Sequence, residues 1–294
     1  MASSITLPFI AAAIPSALPT NAEIEDSRDV LSAYGNRTVV RVGRHFVVKY
    51  GQGVDIIEGE NMLFVQSRTT ITIPEVYALY TEPSTKKNYI VMENVDGDTL
   101  ASRWPSLTRQ QKEVIVAKLR CFYEELRQIP SPGYFGSLGE RHLLDEIFWT
   151  CEEAPSINGP FKSEDALNEA MALKYIHDGR PTYKADFYRQ SLSYVFRGHQ
   201  PTYTHADCQR KNIIICKVAP GNRDLNTDHH LEDEYKVTIV DWEKAGWYPS
   251  YWEYSLALYA LRWDDDWGLF ILKMLSPYHS EAPWLQMLRL ELWS

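Results

Sequence analysis

The chain has 294 residues, 45% of them hydrophobic and 23% charged, a balance that fits a globular protein and excludes a disordered or fibrous one. Its 30 Lys and Arg face 39 Asp and Glu, a formal net charge of −9 that argues against a nucleic-acid partner, which needs a basic face. The length suits one large domain or two lobes with a shared cleft.

Cys121, Cys151, Cys208 and Cys216 form no C-x-x-C pair and are too few for a disulfide framework, so a cytoplasmic protein is expected. Ser4 to Pro19 is mildly apolar, but Pro8, Pro15 and Pro19 interrupt it and no basic flank precedes it. It reads as neither a signal peptide nor a spanning helix. No other run is apolar enough to cross a bilayer, and no membrane partner is expected.

In chain order, Ser27 to Ser32 reads as a short helix. Arg37 to Val42 and His45 to Tyr50 read as a β-hairpin turning at Gly43-Arg44. Asp55 to Gln66 has helical period with Asp55 as N-cap. Pro74 to Tyr80 and Asn88 to Glu93 read as strands, so the first ninety-odd residues are β-β-α-β-β. The composition changes at Asp96-Gly97-Asp98. A long amphipathic helix then runs from Thr108 to about Gln128 and is closed by Pro130 and Pro132. Helical patterns recur at Ser163 to His177 and Lys184 to Arg197, followed by strands at Asn212 to Lys217 and Tyr235 to Val240. The polar stretch between those strands reads as a solvated loop, and adjacent His229-His230 there read as solvated rather than metal-binding. Helices at Tyr251 to Arg262, Trp267 to Leu275 and Ala282 to Trp293 finish the chain. A β-rich lobe, residues 1–95, thus precedes a helical lobe, residues 96–294.

The sharpest chemical signal is Thr204-His205-Ala-Asp207-Cys-Gln-Arg-Lys-Asn212, which runs straight into an apolar strand. Phosphoryl transfer needs a carboxylate to orient the accepting hydroxyl and a neutral oxygen ligand on a nearby metal. The H-x-D-x-x-x-x-N spacing matches the kinase catalytic loop. Next, Val237-Thr-Ile-Val-Asp241 ends an apolar strand on a carboxylate, which a divalent cation would compensate. Lys49, among β-branched residues of a strand, needs an anionic partner. The following helix offers Glu58 and Glu60. Glu58 is favoured because Met62 and Val65 share its face, while Glu60 reads as a solvated charge. Finally, Val91 to Val95 ends the last strand of the first lobe, where backbone freed from sheet pairing can meet an adenine edge.

Taken in this order, these segments resemble the aminoglycoside phosphotransferase and choline kinase branch of the protein-kinase-like superfamily. The stretch Asp241 to Tyr254 is similar to a fungal group of that family, as are Leu18-Pro-Thr, Glu23-Ile-Glu25 and Val48-Lys-Tyr-Gly51. The resemblance extends from about Leu18 to Arg262. It implies a two-lobed α+β kinase-like fold and ATP- and Mg²⁺-dependent phosphorylation of a small-molecule hydroxyl. It implies Asp207 as catalytic base, Asn212 and Asp241 as Mg²⁺ ligands, and Lys49, held by Glu58, on the α/β-phosphates. Glu93 and Val95 would meet adenine through their backbone with Met92 behind the ring, and His205 would orient the loop. Acidic residues late in the helical lobe, Asp264, Asp266 and Glu253, are candidate substrate contacts.

The sequence departs from the kinase pattern at the phosphate-covering loop, which has Gly35 and Gly43 but no G-x-G-x-x-G, a point that favours a nucleotide-binding pseudokinase as the alternative. Trp242-Glu243 after Asp241, with no A-P-E segment, disfavours a protein kinase. Cys208, beside Asp207, reads as a plain free cysteine.

Overall fold

The computed structural model of the chain describes residues 5–218, 235–259, 261 and 263–293. Strand β1 (Phe9–Ile10) and helix α1 (Asn21–Glu25), opened by a Thr20–Glu23 capping box, lead into β2 (Val30–Tyr34), β3 (Arg37–Val42) and β4 (Phe46–Gly51). Gly35 and Gly43 turn these strands at φ of 56° and 61°, left-handed values that strain a side chain. Helix α2 (Ile57–Arg68), β5 (Val76–Thr81) and β6 (Asn88–Glu93) follow. The strands form one antiparallel sheet in the order β1-β5-β6-β4-β3-β2.

The expected hairpin, helix and strand pair are the middle of this sheet. Ser27 to Ser32 is a correction: from Val30 onward it is an edge strand, because pairing along β3 outweighs the weak propensity of so short a helix. The N-cap of α2 is Ile56 and not the expected Asp55, which lies one residue earlier and accepts the Ile57 N–H through Oδ1 at 3.0 Å. The helix packs on the sheet through Met62 and Val65, both fully buried, and through Gly59, where a Cβ would lie 2.1 Å from Leu79 Cδ2. That glycine lets the helix approach β5 and brings the neighbouring Glu58 over the sheet.

The helical lobe begins with β7 (Asp98–Thr99), α3 (Leu100–Arg103) and α4 (Arg109–Leu126), the last opened by a Thr108–Gln111 capping box. Then come α5 (Pro155–Asn158), α6 (Glu164–His177), α7 (Thr182–Val195), β8 (Pro201–Thr204), β9 (Ile213–Lys217), β10 (Tyr235–Ile239) and β11 (Gly246–Pro249). Helices α8 (Trp252–Tyr259), α9 (Trp267–Met274) and α10 (Glu281–Leu292) close the described chain. The aromatic count is spent here: Trp104, Trp242, Trp252, Tyr188, Tyr203, Tyr248 and Tyr251 are all fully buried. Small sheets β10-β9-β7 and β11-β8 sit where the helical lobe meets the first. The expected polar loop with Asp228, His229, His230 and Asp233 lies outside the described residues. Among the described residues no helix is long and apolar enough to cross a membrane.

Candidate active site

Lys49 sits mid-sheet on β4, paired with Val39 on one side and Ile90 on the other. Its Nζ lies 2.6 Å from Glu58 Oε2, 3.1 Å from Asp241 Oδ1 and 2.9 Å from Glu243 Oε2. Burial disfavours the ammonium, but the three carboxylates outweigh it and raise the Lys49 pKa, so the charge stays. Burial, with Asp241 and Glu243 adding to it against Lys49, pushes the Glu58 carboxyl up to about 7. Asp241 moves the other way: burial raises its pKa, yet Lys49 holds it below the ordinary carboxylate value. One cation thus faces three acids, a surplus of negative charge suited to a divalent cation.

Sequence reasoning missed the third acid. Glu243 also accepts from Arg37 Nη1 at 2.9 Å, so a β3 side chain at the lip of the sheet reaches across the cleft. Glu60, expected as a solvated charge, is instead largely buried in an ion pair with Arg141.

Asp241 has φ 66° and ψ 59°, a left-handed conformation that costs a non-glycine residue about 1–2 kcal/mol. Its neighbours enforce it. The Val240 N–H donates to Asn212 O at 2.9 Å, and Trp242 Nε1 donates to Ile239 O at 2.9 Å. The β9–β10 ladder, with Ile213 opposite Ile239, therefore sets Asn212 beside the turn that carries Asp241.

The loop before β9 is built around His205, which is fully buried. Its Nδ1 accepts the Asp207 N–H at 3.2 Å and its Nε2 lies 3.1 Å from Val240 O, which fixes the proton on Nε2. Trp242 packs edge-on against the ring at 4.6 Å. The imidazole bridges the two loops and holds the backbone of both. Ala206 is left-handed at φ 64°, a turn that aims Asp207 outward. Asn212 Nδ2 donates to Asp207 Oδ2 at 2.8 Å, and Gln209 Nε2 donates to Oδ1. Asn212 spends its NH₂ there, which leaves its amide oxygen as a neutral ligand atom.

Glu253 is placed differently from expectation. It is fully buried under this loop, and its Oε2 accepts the His205 and Ala206 N–H groups at 2.8 and 3.2 Å. It braces the turn and does not face a substrate. Burial raises its pKa. The acidic triplet also divides. Asp266 is tied to Lys112 at 2.9 Å and Trp104 Nε1 at 2.8 Å, and Asp265 to Arg210 at 2.7 Å. Asp266 is the N-cap residue of α9, and the side chain that accepts the Trp267 N–H, at 2.9 Å, is that of Asp265. Asp264 borders a cavity on the Arg210 side of the loop. On the first lobe, Met92 is buried and β4–β6 pairing ends at Phe46 and Glu93, so Val95 lies just past the ladder. Cys208 is buried, and burial drives its thiol pKa far up.

Beside Asp207 opens a cavity of about 290 Å³. Asp145, Glu146, Lys244 and Arg289 line it together with Leu256, Tyr259 and Trp293.

No protein-family model matches the sequence. Subtelomeric hrmA-associated cluster proteins from two strains of Aspergillus fumigatus are 33% identical over 90 residues, 30% of this chain. The match spans 18% of those relatives' length. Among solved structures, aminoglycoside phosphotransferase APH(4)-Ia superposes with a TM-score of 0.54 at 14% identity, covering 92% of this chain and 84% of that one. The streptomycin–ATP complex of APH(2")-IIa gives 0.53 at 14% identity over 92% and 83% of the two chains. The GDP complex of aminoglycoside 2'-phosphotransferase-IIIa gives 0.53 at 16% identity over 90% and 81%. The chain therefore has the two-lobed, protein-kinase-like fold that the aminoglycoside phosphotransferases share.

Proposed function

We propose that the chain is an ATP- and Mg²⁺-dependent phosphotransferase that acts on the hydroxyl of a small molecule. In this reading residues 1–95 bind the nucleotide and residues 96–294 carry the catalytic loop and the acceptor pocket. The observation that carries it is the convergence of Lys49, Glu58 and Asp241 at one point, with Asp207 and Asn212 on the adjoining loop. Residues that sit 192 positions apart in the chain meet there.

The donor set fits Mg²⁺: an amide oxygen from Asn212 and a carboxylate from Asp241 are hard oxygen ligands of the kind that cation takes alongside phosphates. Bound there, the metal would neutralise charge on the transferring phosphoryl group. Lys49 would hold the α- and β-phosphates, oriented by Glu58. The backbone at Glu93 and Val95 would meet the adenine edge, with Met92 behind the ring. Asp207 would accept the proton of the attacking hydroxyl, its carboxylate aimed by Gln209 and Asn212. His205 would keep the loop in register without touching substrate. Nucleotide-bound structures of the same fold support the reading. Four free cysteines support a reducing, cytoplasmic setting.

Calorimetric titration with Mg·AMP-PNP and an ADP-release assay test it together. The wild-type chain should bind nucleotide and turn over, and Asp207→Asn should bind equally well but lose turnover by roughly 10²-fold or more. Binding with no turnover across a broad alcohol library would instead favour the pseudokinase.

A further inference from the structure

We propose that the cavity beside Asp207 takes an uncharged alcohol with an apolar or aromatic face, and not a polycationic aminoglycoside or a quaternary amine. The inference rests on the phosphotransferase reading and adds the substrate class. Its basis is a charge balance. Among the described residues that line the cavity, every carboxylate already has a cation, Asp207 through Lys211 Nζ at 3.8 Å. Asp145 Oδ1 takes Arg289 Nη1 at 2.7 Å, and its Oδ2 takes the Trp252 indole N–H at 3.3 Å. Glu146 accepts from Lys244 and, at 3.3 Å, from Arg289 Nη2.

The charges of Glu146, Lys244 and Arg289 persist in the fold. Burial works against ionising Glu146, but Lys244 holds its pKa below the ordinary value. Burial likewise disfavours the Lys244 and Arg289 cations, yet their acidic partners raise both. An incoming ammonium would find no carboxylate without a cation and would face two fixed cations in the cavity wall. A polycation would bind only by breaking these pairs, of which Asp145–Arg289 is buried and costly to break.

The aromatic wall leads to the same conclusion. A quaternary amine needs open ring faces. Here the Arg289 guanidinium lies 4.9 Å from the Trp293 ring centre and 5.3 Å from that of Tyr259, so both rings already carry a cation. What is left for a ligand is the exposed remainder of Trp293, 49% accessible, with Leu256 beside it and the polar heads of Gln209 and Asp207. That is an apolar surface with a few oriented polar groups. The volume, about 290 Å³, is at the lower edge of the ~300–1,000 Å³ common for small-molecule sites.

Three glycosides that share one scaffold provide the test: phenyl glucoside, phenyl glucosaminide and phenyl glucuronide, which are neutral, cationic and anionic. Binding by calorimetry and kcat/KM by ADP release should rank the glucoside first in the wild type. Kanamycin and choline should be poorer than the glucoside. Lys244→Met should raise the glucosaminide relative to the glucoside by about fivefold, the effect expected of one partly exposed charge. Glu146→Gln should raise the glucuronide by a similar factor. Both side chains are accessible enough for the fold to survive the change. The proposal is overturned if a cationic acceptor leads in the wild type. It is equally overturned if the glucoside does not bind while Mg·AMP-PNP does, or if neither variant shifts the order. Failure to bind Mg·AMP-PNP in the first place would overturn the phosphotransferase reading itself, a separate outcome.

Discussion

Glu253 offers the most direct test of how the loop that carries Asp207 is held. Its Oε2 is the acceptor for the His205 and Ala206 N–H groups, at 2.8 and 3.2 Å, in a fully buried site. Ala206 is held left-handed at φ 64° by that contact, against a preference of about 1–2 kcal/mol for the ordinary regions. Glu253→Ala leaves two buried donors without a partner. At about 1–3 kcal/mol each, the loss is about 2–6 kcal/mol. For a chain of this size that lowers Tm by roughly 5–15 °C. Glu253→Gln keeps an acceptor oxygen and removes a charge that burial disfavours, so it should stay within about 1 kcal/mol of the wild type. The two variants also differ in pH dependence. The folded carboxyl has a raised pKa, so the native state binds more protons than the unfolded one above the ordinary value of 4.5. Stability contributed by this group therefore falls as pH rises from 4.5 to the raised value, and the Gln variant lacks that slope. Scanning calorimetry over pH 4.5–8, with Mg·ATP turnover alongside, reads both effects. An Ala variant that melts within about 2 °C of wild type, or a Gln variant as damaged as the Ala one, would refute the bracing role.

Removing the cation at the centre of the site should be more damaging still. Lys49→Met leaves Glu58, Asp241 and Glu243 facing each other and should cost about 3–5 kcal/mol near pH 9 and less near pH 6, because Glu58, pushed up to about 7 even with the Lys49 cation beside it, is protonated there once that cation is gone; urea unfolding at the two pH values checks it. His199 lies between Glu164 at 2.6 Å and Glu281 at 3.4 Å, and although burial lowers its pKa, the two carboxylates outweigh that and raise it. The stability it contributes is complete below pH 6.5 and is lost as pH rises through the raised value, so His199→Asn should flatten the Tm profile above that point. Cys121 and Cys151 are exposed and Cys208 is buried, so a thiol reagent should label the first two in the native protein and Cys208 only after unfolding; rapid native labelling at Cys208, read by peptide mass mapping, would contradict the buried thiol.

Much of the site was readable because its groups are fixed by short-range geometry. Asp207 and Asn212 lie five residues apart in one loop, Asp241 follows the strand that pairs with β9 just after Asn212, and Glu58 shares a helix face with Met62 and Val65. Strand register and helical period place each of these without knowledge of the rest. Glu253, Glu243 and Arg37 are different, because their partners lie 48, 194 and 206 residues away in sequence. Which face of α8 meets the catalytic loop is a packing outcome, and no local pattern separates a bracing Glu from a substrate-facing one. The same holds for the Asp145–Arg289 pair. The missed strands have a similar cause: β1 and β7 are two residues long, and β8 and β11 four, too short for alternation to show. The edge strand β2 exists only because β3 offers it a ladder.

Asn61 explains how the two lobes share one geometry. It lies three residues after Glu58 on the same face of α2 and is fully buried. Its Nδ2 donates to Trp242 O at 2.9 Å and Ala245 O at 3.3 Å, and its Oδ1 accepts from Tyr203 OH at 3.1 Å. One amide therefore grips the turn that follows Asp241 and the strand that leads into His205. The Glu60–Arg141 pair fastens the adjoining face of α2 to the helical lobe. In protein kinases the Lys–Glu pair and the metal-binding carboxylate must be in place together. Here the helix that supplies the Glu is hydrogen-bonded to the turn that supplies the Asp, so neither can move without the other. Glu58 is positioned from the helical lobe as much as from its own sheet. Under the proposed function, an arrangement held this way would need no separate activation segment to assemble it. It also follows that Asn61→Ala, though it touches neither nucleotide nor acceptor, should weaken Mg·AMP-PNP binding and turnover together, whereas a purely local packing loss would lower Tm and leave both unchanged.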